Sequence, residues 1–418
     1  MQRQEFPRVL AAESVSNFGS ILSRLAIPFL AALQLQATPA EMAALLVADV
    51  VAAAVGSLWL ASLIDRYGKR AVMLLADGLR CLLLAALALA AWAGVVNMPL
   101  LVLASAASGL LTAAFELARS AWMAQRVADA DLPRRNAQLS VAGSLSETAA
   151  FAIGGWLYQG LGAALSLAVD ALSYAVSAWC LRSVAEVAAA AAQRGPAQSA
   201  WQTLRLDVAQ GLRAIADRPL LRALVVVEAL LGCSMALTGT AYMIYVTRDV
   251  AMPTGPLGMI AALGALGALG AVAGASLAPR LGRKLGPGWT MTLGLSAFAV
   301  GAACIPMAPP PHLAQGLGWA AVAWLVAHQI VGDAGHVMHD VHDRTLRQTA
   351  VPEALLARVD AGIRTAGQLA TLAGAVAAGV IGSATDARTV LWLAAAVAAL
   401  AAGVAAVRLA PYRQRVAD

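Results

Sequence analysis

Three long stretches of this chain, Leu82–Val96, Leu100–Leu111 and Val390–Val407, contain no charged residue. With their flanks, each reaches the roughly 20 apolar residues that a helix needs to cross a bilayer. Lipid offers no water to the backbone, so such stretches must fold as helices that satisfy their own N–H and C=O groups. Composition supports the same reading. Of 418 residues, 60% are hydrophobic and only 12% charged, about half the charged share of a soluble domain. The first apolar run follows a short start, Met1–Arg8, and holds Asn17 and Arg24 with no small-residue cleavage site. It reads as a spanning helix and not as a removable leader.

The pattern predicts an all-α membrane protein of twelve transmembrane helices in two six-helix, pseudo-symmetric bundles. The spans centre near Leu22, Ala53, Leu84, Ala107, Thr148, Leu172, Leu231, Leu266, Ala297, Val326, Leu369 and Val397. Charge in the connections alternates. Gln34–Glu41, Val95–Pro99, Gln159–Ala164, Thr247–Pro256, Ala308–His312 and Ala384–Arg388 hold only Arg248 and Arg388 as basic residues. The connections between them carry Arg66, Lys69 and Arg70, then Arg126, Arg134 and Arg135, then Arg280, Arg283 and Lys284, then Arg344, Arg347 and Arg358. The positive-inside rule places the arginine-rich set and both termini in the cytoplasm, which requires an even number of spans.

A net charge of +6 does not point to nucleic acid. All but two of the basic residues are arginine, dispersed among loops with no basic arm or interleaved aromatics. Cys81, Cys180, Cys233 and Cys304 stand singly in apolar runs and read as small core residues. No phosphate-binding loop, cofactor motif or nucleophile–base set appears.

The long connection 184–218 carries Gly195-Pro196, then Trp201, Leu204, Val208, Leu212 and Ile215 at helical spacing, with Arg205, Asp207 and Arg213 between them. It reads as a cytoplasmic linker, partly a surface helix, between bundles 1–183 and 219–418. Ala61–Arg70 (ASLIDRYGKR) matches Ala275–Lys284 (ASLAPRLGRK) at five of ten positions, each after the second span of its half. Parallel repeats of this kind build one known transporter architecture.

Asp65-Arg66-Tyr67-Gly68-Lys69-Arg70 resembles the loop motif of the major facilitator superfamily, with Ala61 where that motif begins with Gly. Ser16–Ser20 (SNFGS), Ala26–Pro28, Phe115–Arg119, Asp170–Tyr174, Leu346–Gln348, Pro352 and Leu355–Val359 are similar to the branch containing enterobactin exporters and macrolide efflux proteins. The resemblance implies proton-driven export of a small molecule across the bacterial inner membrane, with the lipid bilayer, protons and the substrate as partners; the chain is expected to act as a monomer. One departure stands out. Gly154-Gly155 is present, but Ala150-Phe151 replaces the Gly-Pro that drug–proton antiporters often carry, and Glu147 sits just upstream.

Alternating access needs a latch and a midplane site. The expected latch is Asp65, Arg66, Gly68 and Arg70 against span eleven, where Arg358 and Arg364 lie, favouring the outward-facing state. Charged groups within spans are expensive and therefore informative. Arg24, Asp49, Glu147 and Glu228 read either as cavity groups or as buried structural pairs, and Asp170 lies in the outer part of span six. A carboxyl group in a low-dielectric cavity is suited to carry a proton, because burial disfavours the charged form, whereas Arg24 suits an anionic substrate group. Asp77 with Arg80, and Glu116 with Arg119, are one turn apart and read as local pairs. Span ten carries His328, then Asp333, His336, His339, Asp340, His342 and Asp343. The cluster reads as a solvated helix end, a proton relay or a divalent-metal site. His328, higher in the span, reads as pore-facing. Gly264, Gly267, Gly270 and Gly274 fit close helix packing. Other readings are a lipid or metabolite transporter of the same fold, or a membrane sensor or scaffold without transport.

Overall fold

The computed structural model describes residues 5–127, 132–186, 209–250, 256–309, 318–351 and 353–412, and among them it is helical with no strand. The helices are α1 (Glu5–Phe29), α2 (Pro39–Tyr67), α3 (Lys69–Trp92), α4 (Met98–Arg126) and α5 (Leu132–Leu181). They continue as α6 (Pro219–Ile244), α7 (Pro256–Leu285), α8 (Pro287–Met307), α9 (Gly318–Ala350), α10 (Glu353–Ala384) and α11 (Ala387–Arg408). Nine helices among the described residues are long and apolar enough to cross a membrane. α9 is not one of them. Its 33 residues rise about 50 Å at 1.5 Å each, well beyond a 30 Å hydrocarbon core. Its second half is therefore free to carry Asp340, Asp343, Arg344 and Arg347.

Local chemistry sets the helix ends. At the start of α2, the hydroxyl of Thr38 accepts from the Glu41 amide at 3.3 Å, while the Thr38 amide donates to Glu41 Oε2 at 2.8 Å, a capping box. Asn97 Oδ1 caps α4 through the Leu100 amide, and Asp386 Oδ1 caps α11 through the Thr389 amide. The arginine-poor connection predicted at Gln159–Ala164 consists of one residue. Gly162 (φ 76°, ψ 177°) breaks α5 into arms 132–161 and 163–181, and only glycine enters that conformation without strain. α1 and α6 both end in a single π turn, Leu30–Gln34 and Tyr245–Asp249.

The chain divides into two compact units, Met1–Gln193 with Thr254–Ala265, and Arg194–Pro253 with Leu266–Asp418. In the first, α1 and α3 pack on α5, and α4 packs on α2 and α3. In the second, α6 packs on α10 and α11, and α8 packs on α9 and α11. Each unit has its own apolar core. Phe6, Met73, Trp122 and Leu181 anchor one, and Leu221, Met291, Val359 and Ile363 the other. The outward faces are apolar as well. Leu82, Trp179 and Val407 are 68%, 70% and 72% exposed, far more apolar surface than a soluble monomer tolerates and what a lipid-facing helix requires.

The internal repeat is realised one helical turn out of the register the sequence suggests. Gly68 (φ 88°, ψ 153°) separates α2 from α3, and its conformational counterpart is Gly286 (φ 86°, ψ 161°) between α7 and α8. Gly282, aligned with Gly68 by sequence, stays inside α7. Pro287 is the cause, because the residue before a proline is driven out of the helical region. The amphipathic stretch from Trp201 to Val208 lies outside the described residues. The helical segment 209–216 that follows docks on α10, with Ala214 and Ile215 in the second core and Leu212 exposed.

Candidate functional site

Polar groups in the first unit converge from α1, α3 and α5. Asp77 and Arg80 of α3 pair at 2.5 Å and are almost fully buried, as their spacing predicts. Ser177 donates to the second Asp77 oxygen at 2.6 Å. The Arg80 guanidinium also lies 4.2 Å from the Tyr174 ring centroid and 4.9 Å from that of Phe115, contacts that favour a desolvated cation. Tyr174 and Ser20 share a hydrogen bond of 2.7 Å. Asp170, wholly buried, accepts from Ser173 at 3.0 Å. A Cβ at Gly19 would lie 2.3 Å from Asp170 Oδ1, so glycine lets α1 touch this carboxyl.

Arg24 is exposed on an α1 whose neighbours Ser23, Leu25 and Ala26 are buried. It lies within electrostatic reach of Asp49 on α2 and of Asp170. A Cβ at Gly109 would meet Asp49 Oδ1 at 2.7 Å, so α4 packs directly over that carboxylate. Glu147 is exposed and stands apart from this group. The Ala150–Gly154 stretch is packing, since Ala150 and Phe151 cluster with Phe18, Ile21 and Leu22 of α1. The expected Glu116–Arg119 pair does not form. Arg119 pairs with Glu13 of α1 at 3.0 Å, and Glu116 is exposed. The α1–α4 partner offers a partly buried ion pair between helices, where the intrahelical one offers only a surface pair.

The loop motif is tied down inside its own unit by a residue that sequence reading missed. The carboxylate of Glu186 accepts from the backbone amides of Arg70 (3.1 Å) and Ala71 (3.0 Å), capping the positive end of α3. A Cβ at Gly68 would meet the same carboxylate at 2.8 Å. The Arg70 side chain donates to the carbonyls of Leu181 and Arg182. Arg66 is exposed over the Tyr67 ring, and the side chain of Asp65 lies outside the described residues. Arg358 donates to Gln210 at 2.8 Å, and Arg364 is exposed.

In the second unit, Glu228 of α6 is packed against Gly367 of α10, where a Cβ would lie 3.3 Å from its Oε1. Arg347, Asp340, His336 and Arg364 are its electrostatic neighbours. Arg347 bridges Asp343 and, at 3.4 Å, Asp360, joining α9 to α10. The histidines of α9 make separate contacts. His328 Nδ1 bonds the Gly301 carbonyl at 3.0 Å, with its ring near Tyr242. His336 lies against Phe298, and His342 Nε2 is 2.9 Å from the Ala278 carbonyl. His339 is buried, and neither of its ring nitrogens has a partner among the described residues. No group of three or more His, Cys, Asp or Glu is arranged for a metal ion among the described residues. Asp333 and Gln329 face Gly267, and Gly270 and Gly274 contact the backbone of Ile330 and Ala334. Gly267, Gly270 and Gly274 thus form a packing surface for α9, as their spacing predicts, whereas Gly264 meets Phe151 of α5.

Comparison with known proteins agrees with this architecture. The profile of the Major Facilitator Superfamily matches residues 9–359. No curated protein sequence matches the chain. Among solved structures, a bacterial homologue of the iron transporter ferroportin, in its inward-facing state, superposes with a TM-score of 0.75 at 15% identity, covering 99% of this chain and 100% of that one. The nucleoside transporter NupG gives 0.72 at 14%, covering 98% and 99%. The POT family transporter PepTSo gives 0.72 at 13%, covering 98% of each. At these identities the likeness is one of fold. With the profile spanning most of its length, the chain belongs to the Major Facilitator Superfamily of multi-pass membrane transporters.

Proposed function

We propose that this protein is a proton-coupled secondary transporter that exports a small amphipathic molecule by alternating access. It threads twelve spans through the bacterial inner membrane as two six-helix bundles, with both termini cytoplasmic. The observation that carries the reading is the position of Arg24. A cation is strongly disfavoured against lipid, yet Arg24 is exposed on a helix otherwise held by its own bundle, with Asp49 in reach. Such a residue faces a polar cavity, where it meets an anionic group of the substrate while a carboxylate carries the proton. Glu228, packed at the α6–α10 contact, supplies a titratable group in the second unit. Export of a drug-like or siderophore-like molecule is supported by the motif similarities of Ser16–Ser20, Phe115–Arg119 and Asp170–Tyr174.

The test is flux in proteoliposomes under an imposed proton gradient, against a panel of amphipathic drugs and siderophores with nucleosides and peptides as comparison arms. Arg24→Gln lowers flux about tenfold or more, equivalent to about 1.4 kcal/mol of lost substrate interaction. Asp49→Asn or Glu228→Gln uncouples flux from the gradient. If gradient dependence survives in Asp49→Asn, Glu147→Gln and Glu228→Gln alike, the coupling assignment fails.

A further inference from the structure

We propose that Asp170 is a further proton-binding carboxyl of the first unit, distinct from Asp49, with Ser23 as the hydrogen-bond partner of the bound proton. The argument is a charge count in a buried cluster. Two carboxyl groups and one guanidinium lie within it: Asp77, Asp170 and Arg80, none more than 4% exposed. Arg80 is paired to Asp77 at 2.5 Å, and the other Asp77 oxygen is held by Ser177. That carboxylate has the contacts an anion needs, and it balances the one buried cation. A second buried anion would have no ion-pair partner in contact, only Arg24 at the exposed rim of the cluster, which a low-dielectric interior tolerates poorly.

Asp170 is the group left over. Its Oδ1 accepts from Ser173, while its Oδ2 has no well-formed partner among the described residues. Beside it stands the Ser23 hydroxyl, 6% exposed and also without a well-formed partner. A proton on Oδ2 removes both deficits: the carboxyl becomes neutral, and its O–H donates to Ser23 Oγ. The other charged or titratable groups facing Asp170 are Arg24 from α1, Asp77, Arg80 and Cys81 from α3, and Tyr174 from its own helix. α4 contributes the Phe115 ring beside Arg80. Because Gly19 presses α1 onto Oδ1, the site is complete only while α1 is seated. The proton's exit lies beside Arg24, the next residue of α1 and the exposed one. The role in transport rests on the proton-coupled reading above, whereas the protonation itself does not.

Infrared difference spectroscopy of the purified protein across a pH series provides the test. A protonated-carboxyl C=O band that titrates is expected in the wild type and lost in Asp170→Asn. Asp170→Glu keeps a band at a shifted frequency, which separates loss of the group from loss of the fold. Ser23→Ala moves the band without removing it. Asp77→Asn leaves Arg80 to Asp170 and removes the band although Asp170 is intact. A band that survives Asp170→Asn or Asp77→Asn, or is absent from the wild type, overturns the proposal. If the band behaves as stated while wild-type flux ignores the proton gradient, the site stands and the coupling reading falls.

Discussion

Arg80 shows how a full charge is held where lipid and protein exclude water. Removing one partner of a buried ion pair typically costs about 3–5 kcal/mol, and here the Asp77 contact is joined by two aromatic faces worth about 0.5–2 kcal/mol each. The three-residue spacing of Asp77 and Arg80 made this pair legible in the sequence. The same spacing misled for Glu116 and Arg119, because spacing along one helix says nothing about a better partner on another, and Glu13 comes from α1. Glu186 was illegible for a related reason. A carboxylate capping a helix more than a hundred residues earlier leaves no local pattern. At the membrane edge, Asp386 is the residue whose titration is simplest. The Thr389 amide donates to it at 2.6 Å and holds its carboxyl below the usual range. A depressed value means the cap stabilises above the unfolded pKa and is lost as pH falls through the folded one, below about pH 4. Asp386→Ala is expected to remove about 1 kcal/mol and flatten the acid limb of thermal stability in detergent, while Asp386→Asn at neutral pH keeps most of it.

Among the elements, glycines decide how close the helices come and where they end. Gly267, Gly270 and Gly274 put α7 against α9, and Gly109, Gly19 and Gly367 admit carboxylates at helix contacts. Their spacing in α7 announced the packing, since the stripe recurs at helical intervals. The repeat's register was not announced. Gly286 carries the left-handed turn and Gly282 does not, because a following proline outweighs similarity of the preceding decapeptide. The two residues therefore respond differently to substitution. Gly286→Ala places a Cβ on a positive φ and costs about 1–2 kcal/mol. Gly282→Ala gains helix propensity of about 1 kcal/mol but meets the His342 ring at 2.5 Å. Thermal denaturation checks this: a His342→Ala background relieves the Gly282 penalty and leaves the Gly286 penalty unchanged.

For the whole molecule, the proposed alternating access poses the question of what switches between inward- and outward-open states. The latch expected from the sequence, Asp65 and the Arg66–Arg70 segment with Arg358, is a proposal; within the first unit, Glu186 fixes the backbone that presents the motif. Asp65→Asn and Arg358→Ala should each shift the balance by about 1–2 kcal/mol, a factor of about 5 to 30, read by the accessibility of cysteines placed on the two sides of the membrane. An unchanged balance in both variants removes the latch. The sequence by itself determined that this is a membrane protein made of helices, since uncharged runs in lipid leave the backbone no other way to satisfy its hydrogen bonds, and its loop motif was enough to resemble a transporter family. Only the tertiary structure decided which carboxylate meets which arginine, which glycine turns the chain and which buried oxygen is left without a partner. Those outcomes depend on side chains brought together from helices far apart in the chain. Their contacts are fixed by packing and by the cost of burying charge, neither of which any one helix encodes alone.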